Sequence, residues 1–189
     1  MVVPRTTLLE PARTLCNAFA SVSPVSELVR CFTSDPMPIA QEHGHPSLAP
    51  FLGRTFTGQE GITKYFELLN QHLTFENMRF DPEDEWVVDS ETLAVCLRGR
   101  ARFIWKATGE SWNETFCYRL GLAEDISQDG KGGYKVQEYR VWADTGAAYL
   151  ASKNQLKSLE EQKGTTGKVK VGALGDKLGS GMNVYGSCG

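Results

Sequence analysis

The spacing of apolar residues changes once along this chain of 189 residues, and this change strongly constrains its fold. Up to Leu73 the apolar residues recur at the three- and four-residue intervals of helices, whereas from there to Asp144 they alternate with polar residues, as in strands. Helices followed by a run of strands are typical of an α+β domain. The predicted order is helices, an antiparallel sheet and one further helix.

Three helices are predicted in the amino-terminal part. The first covers residues 10–20, and the second starts at Ser23 and Pro24, where a hydroxyl can cap and the missing proline amide needs no partner. The third has the best start signal, because Thr57 and Glu60 form a capping box. Apolar residues follow the capping box at helical spacing, namely Ile62, Tyr65, Phe66, Leu69 and Leu73.

Alternation and turn residues define the strands that follow. They are predicted at 75–80, 85–88, 92–106, 111–122 and 134–142. A turn around Gly109 joins the two longest strands as an antiparallel hairpin. Asp144 is placed to cap the last helix, which runs through Leu156.

Composition argues against two classes of partner. The formal net charge is -3, the pI is about 5.7, and Lys and Arg are scattered, so there is no basic stripe for nucleic acid or an anionic membrane. Five cysteines without the spacing of a zinc ribbon or a disulfide framework favour a reducing compartment. The sequence has no long apolar run and no signal-peptide core. We therefore expect a soluble, cytoplasmic protein.

The last part of the chain differs in texture from the rest. From Gly164 onward glycine is frequent and no apolar period is sustained, so too little surface can be buried to offset chain entropy. We predict one α+β domain over 1–160 and a Gly-rich flexible tail over 161–189. The alternative is that the apolar residues of the tail dock on the domain or on a second subunit. These residues are Val169, Val171, Leu174 and Leu178.

Three short motifs occur in order along the chain. The first is Glu42-His43-Gly44 at the end of an early strand. The second runs from Phe56 to Ile62, with Tyr65-Phe66 behind it, and the third from Tyr139 to Asp144. Together, over residues 12–152, they resemble the SnoaL-like branch of the nuclear-transport-factor-2-like superfamily. The resemblance implies a cone-shaped α+β barrel, in which amino-terminal helices pack on a strongly bent antiparallel sheet.

The resemblance also implies a class of activity. Enzymes of this superfamily use a deep pocket inside the cone, need no metal or organic cofactor, and are frequently homodimers packed sheet to sheet. SnoaL-like enzymes are aldol cyclases of polyketides with an acidic base near the end of the sheet, and fungal relatives rearrange or cyclise polyketide and terpenoid intermediates. The same fold also hosts isomerases, dehydratases, hydrolases and scaffolds without chemistry, so function must be argued from the site.

The last strand holds the principal candidate residues. Alternation places one set on a single face, namely Tyr134, Val136, Glu138, Arg140 and Trp142. If this face looks inward, Glu138 and Arg140 leave bulk water, which is costly unless they pair or are held by a site. We expect Glu138 to act as the catalytic base, with Arg140 favouring its ionised form. The alternative is an ion pair that orders the sheet or faces a dimer partner.

A second carboxylate is expected beside the first. If the apolar residues of the strand at 111–122 point to the core, Glu114 and Tyr118 point there too, and Glu114 meets Glu138 across the sheet. Two carboxylates in a dry cavity do not both ionise, so one supplies an acid and the other a base. Tyr118, His43 or protonated Glu114 would donate to the developing oxyanion. The predicted apolar wall for the substrate consists of Trp105, Trp112, Phe116, Trp142 and Phe66.

A histidine pair raises the question of a metal. His43 and His45 share one face of a strand, and imidazole pairs can bind transition metals. Gly44 and Pro46 indicate that the strand ends there, and alternation points Glu42 the other way, so we predict no metal site. His43 is then either a hydrogen-bonding group at the mouth of the cavity or a structural histidine.

The long strand at 92–106 has a charged side and an apolar side. Arg98, Arg100 and Arg102 alternate onto the charged side, which we expect to face solvent or a dimer partner, an anion-binding patch being the alternative. The apolar side consists of Val95, Leu97, Ala101, Phe103 and Trp105. A slip of the register by one residue would exchange the two sides.

These observations favour a cofactor-independent acid-base enzyme. It would be an isomerase, a cyclase or a dehydratase (a lyase) acting on a hydrophobic polyketide- or terpenoid-like intermediate of secondary metabolism. The alternative is a non-catalytic dimeric module of the same fold that binds a small molecule or a protein. A cavity filled by Trp and Phe side chains would favour the module, and an open pocket of roughly a few hundred cubic ångströms would favour the enzyme.

Overall fold

The computed structural model describes residues 3–126 and 132–165, and most of the predicted tail, over 166–189, lies outside them. The chain divides into two compact units, Met1–Leu156 and Lys157–Gly189, and the sheet belongs to the first. The boundary between domain and tail stays a prediction. Within the described residues, no helix has the length and apolar character needed to cross a membrane.

Most helices and strands follow the predicted order, but two short strands precede the third helix and two helices follow the sheet. The helices in the described residues are α1 (Arg5–Ala20), α2 (Val25–Arg30), α3 (Gly58–His72), α4 (Thr145–Ser152) and α5 (Leu156–Thr165), with a short 3₁₀ helix at Glu83–Glu85. The strands are β1 (Ile39–Glu42), β2 (Phe56–Thr57), β3 (Leu73–Phe80), β4 (Val87–Asp89), β5 (Ala94–Trp105), β6 (Ser111–Asp125) and β7 (Gly133–Trp142).

The predicted starts of α3 and α4 are confirmed, but their caps differ. Asp144 accepts a hydrogen bond from the Ala147 backbone N–H at 2.9 Å, as its position predicts. Thr57 is the extended N-cap residue of α3, yet its side chain makes no capping hydrogen bond. The helix after Asp144 stops before the predicted Leu156, because the chain turns at Asn154, whose φ of 57° is left-handed.

The strands form one curved, unclosed sheet in the order β2-β1-β7-β6-β5-β3, with β4 paired to β5. Neighbouring strands are antiparallel except β1 and β7, which are parallel. The predicted cone-shaped α+β architecture is thus confirmed. We call the face that packs against α1 and α3 the inner face, and the opposite one the outer face.

Alternation along β5 produces the two predicted sides. The side chains of Arg98, Arg100 and Arg102 are 56%, 40% and 49% exposed, which places them on the outer face. The opposite side is buried at Val95, Leu97, Ala101 and Trp105. Continuous pairing with β6 preserves the two-residue period along the strand, and the prediction holds for that reason.

The strand β7 breaks the alternation that the sequence predicts. Its register against β6 shifts between Gly121, which lies opposite Glu138, and Leu122, which lies opposite Val136. Gln137 is therefore an extra residue in a β-bulge. One extra residue exchanges the two faces for all positions that follow it.

The bulge turns the predicted catalytic face outward. Tyr139 and Val141 are 2% and 5% exposed and point inward, whereas Glu138 and Arg140 are half-buried on the outer face and Trp142 is exposed. The prediction that Glu138, Arg140 and Trp142 look into the cone is therefore wrong. The physical reason is the bulge, which an unbroken two-residue period along the strand leaves out.

Candidate active site

An apolar cavity of about 290 Å³ lies between the inner face of the sheet and helices α1 to α3. We call it the inner cavity. Aromatic rings make up much of its wall, among them Phe19, Phe66, Phe103, Trp112, Phe116 and Tyr139. Some lining residues are exposed, so the cavity opens to solvent: Val22, Pro24, Asn70, Thr74 and Asp144. Its described lining contains no Lys, Arg or His.

Glu42 is a buried carboxylate on the wall of this cavity. It ends β1 opposite Val141 of β7, and the alternation of β1 turns it inward together with Ala40. Tyr65 of α3 donates a hydrogen bond from its hydroxyl to Oε2 of Glu42 at 2.8 Å. Glu42 is only 8% exposed. Among the described residues, Tyr65 is the side chain that donates a hydrogen bond to this carboxylate.

The surroundings of Glu42 favour its protonated form. Burial raises the pKa of Glu42 to about 7, the hydrogen bond from Tyr65 opposes this rise, and the charge of Glu114 adds to it. A carboxyl group that titrates near neutral pH can both take up and release a proton under ordinary conditions. This property sets Glu42 apart from an ordinary surface glutamate.

Glu114 of β6 is held from two sides. Trp112 donates from Nε1–H to Oε2 of Glu114 at 2.6 Å, and the backbone N–H of Asp144 donates to Oε1 at 2.7 Å. Burial raises the pKa of Glu114, and these two hydrogen bonds oppose the rise. Because each carboxylate oxygen already has a donor, Glu114 fixes the junction between β7 and α4 at the cavity wall.

The cavity holds a pair of carboxylates, as predicted, but with a different partner. The charge of Glu114 raises the pKa of Glu42, whereas the charged groups that shift the pKa of Glu138 are Arg140 and Arg119. The reason is topological, because β1 pairs with β7 and brings its inward residue Glu42 to the cavity opposite Val141, while the bulge turns Glu138 to the outer face. The predicted pairing of Glu114 with Glu138 is wrong.

Two tyrosines lie next to the carboxylates on the inner face. The ring centroids of Tyr118 and Tyr139 are 4.9 Å apart, at an interplanar angle of 66°. Burial raises the pKa of both, and the negative charge of Glu42 raises it further. Both therefore stay protonated at neutral pH, as hydrogen-bond donors.

The structure brings half of the predicted site residues into the cavity. Those that line it are Glu114, Tyr118, Trp112, Phe116 and Phe66. Trp105 is buried but stacks on His72 with ring centroids 5.3 Å apart, outside the described lining. Sequence reasoning missed Glu42 and Tyr65, although both belong to the motifs of the resemblance. Alternation over a strand of four residues gives little reason to single out Glu42.

Glu138 lies on the outer face between two arginines. Arg119 Nη1 donates to Oε2 of Glu138 at 2.6 Å, and Arg140 Nε donates to Oε1 at 2.8 Å. Partial burial acts to raise the pKa of Glu138, but the hydrogen bonds and charges of Arg140 and Arg119 outweigh it and lower the pKa. A clamped carboxylate outside the cavity is poorly suited to act as a base. The geometry matches the alternative of an ion pair that orders the sheet.

The two histidines of the predicted pair contact different residues. His43 stacks on Trp142 with ring centroids 4.4 Å apart and an interplanar angle of 7°, and its buried Nε2 has no hydrogen-bond partner among the described residues. His45 instead contacts Ser47, with Nδ1 and Oγ 2.7 Å apart. In the described part of the chain, no three His, Cys, Asp or Glu side chains converge as metal ligands would.

Solved structures with the same fold share little sequence with this chain. BvnE pinacolase from Penicillium brevicompactum is 14% identical, with a TM-score of 0.55 over 83% of this chain and 98% of that one. A SnoaL-like protein from Mesorhizobium loti is 14% identical, with a TM-score of 0.51 over 71% and 97%. A nuclear-transport-factor-2-like protein from Burkholderia xenovorans is 15% identical, with a TM-score of 0.53 over 79% and 96%.

Sequence comparison adds no closer relative. No family model matches the chain, and no curated protein matches it significantly. The structural neighbours confirm the fold that the resemblance predicted. At this level of identity the shared property is the fold, and the site must carry the functional argument.

Proposed function

We propose that the inner cavity is the active site of a cofactor-independent acid-base enzyme, an isomerase, cyclase or dehydratase, with Glu42 as its base. One observation carries the proposal. Glu42 is a buried carboxylate on the wall of an apolar cavity that opens to solvent, and its pKa is about 7. A base whose pKa lies near the working pH transfers protons efficiently in both directions. Glu138, the base expected from the sequence, has neither the position nor the pKa for this role.

In the proposed reaction, Glu42 takes a proton from a carbon next to a carbonyl group of the bound molecule. The electron pair of the C–H bond forms the carbon–carbon double bond of an enolate, and the π pair of the carbonyl group moves to its oxygen. The phenol of Tyr118 donates a hydrogen bond to the enolate oxygen that develops. Protonated Glu42 then returns the proton to another carbon, which completes an isomerisation, or to a leaving hydroxyl, which completes a dehydration. The proton balance closes in both cases without a redox step.

The inner cavity also restricts the substrate. An apolar cavity of about 150 Å³ holds one benzene molecule, so the 290 Å³ of the inner cavity suit a body of about two rings. The described lining contains two buried carboxylates and no cationic side chain, which disfavours an anionic ligand. We therefore propose a neutral, hydrophobic ketone or hydroxyketone, as in polyketide- or terpenoid-like intermediates of secondary metabolism.

Proton exchange in heavy water tests this function. The protein is incubated in D₂O with α-tetralone or β-tetralone, two neutral bicyclic ketones with acidic hydrogens next to the carbonyl. Deuterium incorporation is followed by NMR. Exchange that saturates with ketone concentration, and that the Glu42→Gln variant loses, would support the proposal. Tetralone binding with exchange no faster than in buffer would contradict it.

A non-catalytic dimeric binding module is the second candidate, and the outer face is the observation that favours it. Trp142 is 42% exposed and stacks on His43, beside the ion pairs of Glu138 with Arg119 and Arg140. An exposed aromatic residue surrounded by polar groups suits a contact with a second copy of the chain. Dimerisation through this face belongs to both proposals. The module is supported if the protein sediments as a dimer and binds the ketone but does not catalyse hydrogen exchange.

A further inference from the structure

Val22 has a backbone conformation that its residue type disfavours. It follows α1 with a φ of 53°, in the left-handed region. The Ser23 N–H donates to the Ala18 carbonyl at 2.9 Å, and the Val22 N–H donates to the Phe19 carbonyl at 3.0 Å. In this pattern at a helix end the left-handed residue is usually Gly and sometimes Asn. A β-branched residue there is an outlier, because its Cβ crowds the following carbonyl.

The folded protein offers Val22 little in return for this conformation. The residue is 69% exposed, so its isopropyl group remains largely in water. Gly or Asn would fit the turn with less strain and would expose less apolar surface. Strained residues persist where function requires them. Because no buried contact within the described residues offsets the strained backbone of Val22, we infer that this residue has a role outside folding.

The position of Val22 indicates what that role is. Val22 belongs to the lining of the inner cavity, together with Phe19 from the last turn of α1 and Pro24 and Val25 from the start of α2. Phe19 is buried and Val22 is exposed, so this turn extends from the inside of the cavity to its entrance. The left-handed backbone is what presents an apolar side chain at this point.

We propose that Val22 is a specificity-determining residue, an apolar lip that covers the outer end of a hydrophobic ligand in the inner cavity. This inference rests on the proposed function, because it requires a ligand in that cavity. Contact with an apolar ligand removes the isopropyl group from water, which the free protein does not do. The lip selects ligands that meet Val22 with an apolar end, since the isopropyl group offers a polar end no hydrogen-bond partner in place of its water.

Two substitutions remove the lip and keep the turn. Val22→Gly and Val22→Asn both place residues that accept the left-handed conformation at this position. The matched control is Asn154→Gly, at a left-handed turn after α4 that lies outside the described lining of the cavity. Thermal unfolding gives the stability of each variant, and calorimetric titration gives its affinity for β-tetralone and for the smaller, one-ring acetophenone.

Both Val22 variants are expected to unfold at the same or a higher temperature than the wild type. We expect them to bind β-tetralone about 5- to 20-fold more weakly, since a buried valine side chain contributes at most about 10- to 100-fold. Acetophenone does not reach the lip, so its affinity should change by less than about twofold. Asn154→Gly should leave both affinities unchanged.

Three results would overturn the inference. The first is tight β-tetralone binding by both Val22 variants, and the second is an equal loss of affinity in Asn154→Gly. In either case, binding of β-tetralone by the wild type would still support the proposed ligand cavity. The third is a wild type that binds neither ketone, and that result would remove the proposed function together with the lip.

Discussion

The inner and outer faces of the sheet hold the same kind of side chain in opposite environments. On the inner face, Glu42 has a tyrosine donor and the second carboxylate Glu114 nearby, and burial raises its pKa to about 7. On the outer face, Glu138 lies between Arg119 and Arg140, which lower its pKa against the effect of partial burial. Both are glutamates on neighbouring strands, β1 and β7. The difference shows that the face of the sheet decides which of them can exchange a proton near neutral pH.

The largest effect on activity is expected when the carboxylate of Glu42 on the inner face is removed. Glu42→Gln keeps the shape of the side chain and an acceptor for the Tyr65 hydroxyl, but it cannot take up a proton. If Glu42 is the base, kcat/KM for ketone exchange should fall by about 100- to 10,000-fold, or about 3 to 5 kcal/mol of barrier. The matched variant on the outer face, Glu138→Gln, should keep wild-type exchange. Equal losses in the two variants would contradict the assignment of roles to the faces.

The next effect is the pH dependence of stability. The folded-state pKa of Glu42, about 7, exceeds its ordinary value of 4.5, so folding retains a proton that the unfolded chain releases. The resulting stabilisation is complete below pH 4.5 and is lost as the pH rises through 7, a change of about 3 kcal/mol. The groups that face Glu42 are Glu114, which adds to the shift, and Tyr65, Tyr118 and Tyr139, which stay neutral.

Chemical denaturation at several pH values measures this effect. The difference in unfolding free energy between wild type and Glu42→Gln isolates Glu42, because the other titrating groups are common to both proteins. We expect this difference to move in favour of the variant as the pH rises from 4.5 to 7. A difference independent of pH over that window would show that Glu42 is not held in its protonated form by the fold.

A smaller effect concerns the donor on the inner face. Tyr65→Phe removes the hydrogen bond to Oε2 of Glu42, which at present lowers the pKa of that carboxyl group. The pKa should rise further, so that less of Glu42 is ionised at pH 7. Loss of one hydrogen bond of this kind should lower kcat/KM at pH 7 by about 3- to 10-fold, because a smaller fraction of Glu42 is ionised. The pH profile of kcat/KM should move to higher pH while its upper plateau is kept, and a lowered plateau without a shift would contradict this role.

The smallest effect is expected on the outer face. Glu138→Gln removes the charge that Arg119 and Arg140 share, and the side chains of these three residues are 20% to 35% exposed. We expect a loss of stability of about 1 kcal/mol or less, because ion pairs near the surface are partly offset by solvation. The loss should shrink at high salt. A loss well above 1 kcal/mol that does not shrink with salt would contradict this expectation.

Residue periodicity predicted the faces of the sheet where pairing is regular. Arg98 on β5 and the row from Trp112 to Tyr118 on β6 lie on the expected sides, because the register between these strands is continuous. The same reasoning failed on β7, because the bulge at Gln137 shifts every later residue to the other face. The sequence marks that bulge only by two consecutive polar residues, Gln137 and Glu138, between the inward Val136 and Tyr139.

The carboxylate pair illustrates a second limit of the sequence. Glu114 was expected to meet a carboxylate from the neighbouring strand β7, and its actual partner Glu42 comes from β1, which is far away along the chain. A parallel pairing between β1 and β7 joins the two ends of the domain, and local periodicity has no information about it. Proximity of this kind becomes visible only when the whole sheet is assembled.

The sequence by itself determined the α+β class, most of the order of helices and strands, and the orientation of β5 and β6. Each of these follows from the spacing of apolar residues over short distances, which acts on the chain locally. The tertiary structure alone decided that Glu42 faces the cavity and Glu138 the arginines. That choice depends on one extra residue in β7 and on a strand pair between distant segments, and both are fixed by the packing of the complete domain.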